Sequence, residues 1–334
     1  MRRWRIVHTT SLTYDGQVRA AHNELRMTPV NEAGQTTLEN RIRIRPMTWS
    51  HVYRDHWGTH VMAMESLASH GQLEIEAIST VERTDVARHT PSLDWAAVRD
   101  PAVQDRSYEW LMLSARTRPG DGIAELVDAV RGRETPRVAA EELASLVRAE
   151  MSYVPGSTSV HSRGEDAWAE RSGVCQDFAH ITVGALRSLG LPARYVSGYL
   201  VPVRDTAVGE TSKGESHAWV EYWDGGWTPV DPTNGTEVGV DHVVVARGRD
   251  YEDVPPFKGI YSGRATASLG VVVAITRLAC RPPRGGGRGP RAGGRARWPR
   301  ACCRRRASAS RGVGGCRSRP TVGRTVAASP TAGP

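Results

Sequence analysis

Ser172-Gly173-Val174-Cys175-Gln176-Asp177-Phe178-Ala179-His180 reads as the opening of a helix that carries a cysteine in its first turn. Phe178, Ile181, Ala185, Leu186 and Leu189 recur at helical spacing and predict an apolar stripe along Cys175–Leu189. Gly190-Leu191-Pro192 then stops the helix, with a C′ glycine followed by a proline. Downstream, Ala193–Val203 reads as a strand, a polar loop runs from Arg204 to Gly214, and two further strands follow as a hairpin. One arm carries Glu215-Ser216-His217-Ala218-Trp219 and the other Trp227-Thr228-Pro229-Val230-Asp231-Pro232.

Cysteine, histidine and aspartate in that order supply what thiolate catalysis needs: a nucleophile, a base to take its proton, and a carboxylate to orient the base. At a helix start, Cys175 meets unpaired backbone N–H groups and the positive end of the dipole, both of which favour a thiolate and an oxyanion. The hairpin can be checked by counting. If Asp224-Gly225-Gly226 is a three-residue loop closing a Trp223–Trp227 pair, Trp219 lies opposite Asp231 and His217 sits two residues along on the same face. Diagonal neighbours of that kind are about 7–8 Å apart, within reach of a carboxylate–Nδ1 contact. A two-residue loop would turn His217 to the wrong face.

The 334 residues are long enough for a substantial core and about two domains. The net charge of +8 is a property of the end of the chain: residues 281–334 hold fourteen arginines and no acid. The rest keeps thirty of the 44 basic residues against all 36 acidic ones, a formal charge of −6 that argues against nucleic-acid binding by the folded body. Cys175 is alone in that body; Cys280, Cys302, Cys303 and Cys316 lie at or beyond its end. Internal disulfides are therefore not expected, which fits a reducing, cytoplasmic setting. No stretch reaches the roughly 18 apolar residues of a membrane span, and Met1–Thr10 lacks a signal-peptide core. Beyond Cys280 the composition collapses to Arg, Gly, Ala, Pro and Ser, so residues 280–334 are expected to be a disordered tail, one that an altered reading frame would explain.

Residues 1–88 predict antiparallel β structure. Ile6, His8, Thr10, Leu12 and Tyr14 share one face, and Thr37–Arg45, Thr59–Leu67 and Leu73–Glu82 are further strands between turn signals, together a small β-sandwich. Its scattered histidines, His8, His22, His51, His56, His60 and His70, lack metal-ligand spacing and read as ordinary polar residues; no metal or cofactor is implied. Residues 89–279 predict helices at Ala102–Arg116, Ile123–Val130 and Pro136–Met151, then the cysteine-bearing block and a last strand within 264–279. The fold class is α+β.

Gly173–Ala179, the strand Pro192–Tyr199, His217-Ala218-Trp219-Val220-Glu221 and Trp227–Thr233 together resemble the bacterial branch of the transglutaminase-like superfamily, with usual spacings of 42 and 14 residues between Cys175, His217 and Asp231. The first ninety residues resemble the β-rich region that precedes this papain-like core in bacterial members. The resemblance covers about residues 1–279. It implies Cys175 as nucleophile, His217 as base then acid, and Asp231 as the orienter of His217. It further implies attack on a carboxamide of a peptide or protein, through a thioester, to give either hydrolysis or an isopeptide bond. Tyr153 and Gln176 are candidates for a second oxyanion donor and Trp219 for a substrate contact, although core packing would also account for Trp219. A binding or assembly module on an inactive scaffold is the alternative. The sequence sets neither substrate nor oligomeric state.

Overall fold

The computed structural model describes residues 1–87, 93–201, 206–263 and 266–280; the tail expected at 280–334 lies, apart from Cys280, outside the described residues. The chain opens with six strands: β1 (Arg2–Val18), β2 (Ala20–Leu25), β3 (Gln35–Arg45), β4 (Trp49–Arg54), β5 (His60–Ser66) and β6 (His70–Arg83). A helical stretch follows, with α1 (Trp95–Val98), α2 (Pro101–Arg106), α3 (Tyr108–Leu111), α4 (Asp121–Val130) and α5 (Pro136–Glu150). Next come β7 (Ser152–Tyr153), α6 (Gly164–Ala169), β8 (Ser172–Gly173) and α7 (Cys175–Ser188). The remaining strands are β9 (Ala193–Leu200), β10 (Thr211–Trp223), β11 (Trp227–Val230), β12 (His242–Gly248), β13 (Phe257–Ser262) and β14 (Ala267–Leu278).

An eight-stranded antiparallel sheet runs in the order β12-β9-β10-β14-β1-β6-β3, with β11 added to β10. A four-stranded sheet, β13-β2-β5-β4, accompanies it. The face of β1 expected from the alternation is the buried one: Ile6, His8, Thr10, Leu12 and Tyr14 all point inward. His8 is a satisfied core residue. Its Nδ1 meets the Tyr199 hydroxyl at 2.9 Å and its Nε2 meets Thr10 Oγ1 at 3.2 Å. Burial holds its pKa down at about 4, so the ring is neutral.

The expected boundary at residue 88 does not divide the sheets. Leu12, Val18, Leu25, Met64, Leu73 and Ile75 form a core between two layers of strands, but neither layer belongs to residues 1–88 alone. β13 pairs with β2 in one layer, and β14 pairs with β1 along Arg3–Tyr14 in the other. The small β-sandwich expected over residues 1–88 thus shares its layers with strands from residues 257–278. Polar contacts add to this. Buried Gln35 takes the N–H of Val244 at 2.9 Å and donates to its carbonyl at 2.8 Å, and Trp4 Nε1 donates to Val240 O at 2.9 Å.

Two local readings also change. The expected helix over Ala102–Arg116 is broken at Ser107 into α2 and α3, and α2 buries no residue, so no packing enforces a longer helix. In β3 a register shift between Thr37 and Glu39 leaves Leu38 exposed. The start of α5 follows the sequence: Thr135 Oγ1 accepts from Val138 N at 3.2 Å and Pro136 fills the first turn.

Helix α7 sits at the centre of the main core. Every residue from Gln176 to Arg187 is buried, because the sheet covers one side and α4, α5 and α6 pack on the others. The stripe read from the sequence therefore understates its burial. Arg187 is accommodated by donating to the carbonyls of Ala193, Met112 and Arg249 at 2.7–3.0 Å. Burial lowers its pKa to about 9 despite nearby Asp250 and Asp253. The helix ends as expected, with Gly190 at φ 80° and Leu191 N donating to Leu186 O at 3.0 Å.

Candidate active site

Cys175 is the first residue of α7 and is partly buried, with a free thiol. The turn before it is held by Asp177, whose Oδ2 accepts from Val174 N at 2.8 Å and from Thr158 Oγ1 at 2.6 Å. Val174 O takes the N–H groups of Asp177 and Phe178. The amides of Cys175 and Gln176 are the first-turn donors that an α-helix leaves without an intrahelical acceptor.

The hairpin has the three-residue loop that the register required. Trp223 pairs with Trp227 and Val220 with Val230, and Gly225 occupies φ 107° in the turn. Asp231 follows β11 directly, and its Oδ2 accepts from His217 Nε2 at 2.8 Å. The ring therefore presents Nε2 to the carboxylate, not Nδ1 as the sequence-based count supposed. Asn234 Nδ2 also lies 3.2 Å from Nε2, and Cys175 is the other group acting on the ring. Burial disfavours the charged ring most strongly, but the hydrogen bonds to Asp231 and Cys175 and their charges outweigh it and raise the His217 pKa to about 10.

Asp231 is buried and fully engaged. Oδ1 accepts from the backbone of Thr233 at 3.0 Å and of Asn234 at 3.1 Å. Oδ2 also accepts from Asn234 Nδ2 at 2.9 Å and His242 Nε2 at 3.3 Å. Burial alone would raise its pKa, yet the bonds from His217 and His242, with the charge on His217, hold it well below the usual carboxylate range.

His242 and Asn234 are site residues that the sequence reading did not pick out. Gly239 N donates to His242 Nδ1 at 3.4 Å, which assigns the proton to Nε2 and directs it at Asp231. Burial outweighs the carboxylate's pull and lowers the His242 pKa, so this ring is neutral. Ligand-type atoms of His217, Asp231 and His242 lie within 4.8 Å of one another. Their spacing is accounted for by both Nε2–H groups donating to one oxygen.

The remaining candidates separate. Tyr153 is half-exposed beside the cysteine: burial, then the charges of Cys175 and Glu215, push its phenol up to about 12. Gln176 is buried and its Nε2 donates to Ser159 O at 3.3 Å, committing the side chain to the 154–163 loop. Trp219 is fully buried, its ring 6.0 Å from that of His217 and nearly parallel to it, so it packs behind the imidazole. Two residues further along β10, buried Glu221 accepts from Arg194 on β9 at 2.6 Å and from Arg247 on β12 at 2.9 Å. The three strands behind the site are thereby tied. A cleft of about 800 Å³ is bordered by Trp219, Asn234, His242 and Glu215 but not by Cys175, His217 or Asp231, so it adjoins the partners of the carboxylate without holding the sulfur.

A helix-borne cysteine facing a histidine and aspartate on an antiparallel sheet is the arrangement of papain-like cores. Residues 124–232 match the transglutaminase-like superfamily core, and residues 4–82 match the bacterial transglutaminase-like N-terminal region. The chain is 44% identical over 279 residues to an uncharacterized protein of Mycobacterium leprae, covering 84% of this chain and 100% of that one. An uncharacterized protein of Mycobacterium tuberculosis is 30% identical over 301 residues, covering 82% and 92%. The fold is similar to that of a candidate cysteine protease from Cytophaga hutchinsonii, with TM-score 0.66 and 20% identity, covering 84% of this chain and 92% of that one. This chain belongs to the transglutaminase-like superfamily.

Proposed function

We propose that this protein is a cysteine-dependent acyl-transfer enzyme acting on a carboxamide of a peptide or protein. The observation that carries the reading is His217 Nε2 held at 2.8 Å by the buried Asp231 carboxylate, on a ring that also feels the partly buried Cys175 thiol; together these favour the imidazolium. An imidazolium beside the sulfur favours the thiolate. In the reaction proposed, the Cys175 sulfur bonds to the carbonyl carbon and the C–N bond breaks. His217 delivers its proton to the departing amine, leaving a thioester. Water or a second amine then attacks that thioester, giving up a proton to His217, and the thiolate leaves. Asp231 keeps the ring oriented and offsets its charge throughout. The free first-turn amides of α7 stand where the oxyanion forms, and Tyr153 lies at the same opening.

Membership in the superfamily supports acyl-transfer or protease-like chemistry of this kind. A folded body with Cys175 as its single cysteine cannot rest on internal disulfides, which fits the cytoplasmic location proposed here. The test is ammonia release from glutamine-containing peptides, with and without an added primary amine. Release that Cys175→Ala abolishes supports the reading, and incorporation of the amine distinguishes transamidation from hydrolysis. Wild-type protein that alkylates at Cys175 no faster than a free exposed thiol near pH 7 would refute it.

A further inference from the structure

Strand β14 loses a neighbour at the edge of the candidate site. Thr276–Val273 pair with Thr211–Gly214 of β10, and the pairing stops there; from Glu215 onward β10 is paired with β9, its neighbour on the side away from β14 in the strand order. Among the described residues, Ala267–Val272 of β14 are left with β1 alone. Leu269, Val271 and Val272 are 59%, 49% and 61% exposed, and Glu215 and Ser216, where that pairing stops, are exposed as well. Proteins usually blunt such an edge with a charge, a proline or a bulge. Ala-Ser-Leu-Gly-Val-Val has no charge and no proline, and its register with β1 is unbroken across twelve pairs.

The free edge starts beside the chemistry. Glu215 is two residues from His217, and its charge acts on the Tyr153 phenol, which also feels the charge of Cys175. We propose that residues 267–272 dock the substrate as an added β-strand, so that the carboxamide attacked by Cys175 lies in an extended peptide segment. This inference rests on the acyl-transfer reading above. Main-chain pairing would supply affinity with little regard to sequence. Leu269 and Val271 on one face, with Val272 and the bare Gly270 on the other, would favour apolar side chains at alternate positions. Glu215 appears in no hydrogen bond or ion pair among the described residues, and it sets a preference for a cationic side chain at the end of the segment nearest the sulfur.

The test follows alkylation of Cys175 in the full chain by iodoacetamide, a reagent small enough to need no docked strand. The probe is a ten-residue peptide with one central glutamine flanked by threonine and valine. At saturating peptide, alkylation should slow at least tenfold. Methylating every second backbone nitrogen should remove this protection in one phase and spare it in the other, because an edge strand uses alternate N–H groups. Of Val271→Pro and Val272→Pro, the variant that keeps the wild-type melting temperature should need at least tenfold more peptide for half-protection. Rapid alkylation that no peptide slows, or equal loss with both methylation phases, overturns the docking while leaving the thiolate intact. Slow alkylation without peptide counts instead against the acyl-transfer reading. A dimer that the same proline variant dissociates assigns the edge to a second copy and also overturns the proposal.

Discussion

His242 donates its Nε2–H to the same Asp231 oxygen that holds His217, at 3.3 Å against 2.8 Å. The carboxylate is therefore anchored from a third strand, β12, as well as from the turn after β11. His242→Ala should leave Asp231 short of one buried partner and cost about 1–3 kcal/mol of stability. It should also lower kcat/KM by less than Asp231→Asn does. His242→Gln, which keeps a donor, should recover most of both losses. Thermal melts with steady-state kinetics check this, and a His242→Ala enzyme equal to wild type in both would sink it.

Cys175→Ala should abolish turnover while the melting curve stays within a few degrees of wild type, because the sulfur packs only partly against the core. His217→Ala should lose at least the roughly 10²–10⁴-fold of general acid–base catalysis. Asp231→Asn orients rather than reacts, so its loss should be smaller. Turnover measured on all three variants orders them.

The His217–Asp231 pair makes stability depend on pH in a definite direction. A raised histidine pKa contributes stability that is complete below about pH 6.5 and lost as pH climbs through about 10. A depressed aspartate pKa contributes stability that is complete above about pH 4 and lost on acidification. The pair should stabilise most between about pH 4 and 6.5. Wild type should therefore lose more melting temperature than Asp231→Asn on going from pH 6.5 to 10; parallel profiles would exclude this.

Deleting Gly226 would shorten the hairpin loop to two residues and turn Asp231 to the opposite face of β11. Activity should fall to the level of Asp231→Ala, with far-UV circular dichroism little changed. Full activity in the deletion would mean that another carboxylate orients the ring.

Gly184 lies on α7 where a Cβ would stand 1.9 Å from the Thr117 carbonyl oxygen. Gly184→Ala should cost about 1–3 kcal/mol or more, since backbone rather than a flexible side chain must move. Chemical denaturation measures it.

The site was legible in the sequence where local counting governs it. Loop length fixed the faces of His217 and Asp231, and Pro192 with Gly190 fixed the end of α7. The ring nitrogen was not legible, because it depends on how the imidazole is turned in three dimensions. His242 was missed for a related reason: its place beside Asp231 comes from the pairing of β12 with β9, which no local pattern announces. The alternation of β1 was readable, but its neighbour β14 lies more than 250 residues away in sequence. A β-rich start thus looked self-sufficient when two of its partner strands are made last.

That pairing bears on how the protein comes to be made. Throughout synthesis β1 waits with one edge bare until β14 leaves the ribosome, and contacts so distant along the chain close slowly. A nascent chain arrested before Ala267 would carry a complete Cys175–His217–Asp231 set on an unzipped scaffold. Completing the scaffold around the site therefore waits on β14, which pairs with both β1 and β10.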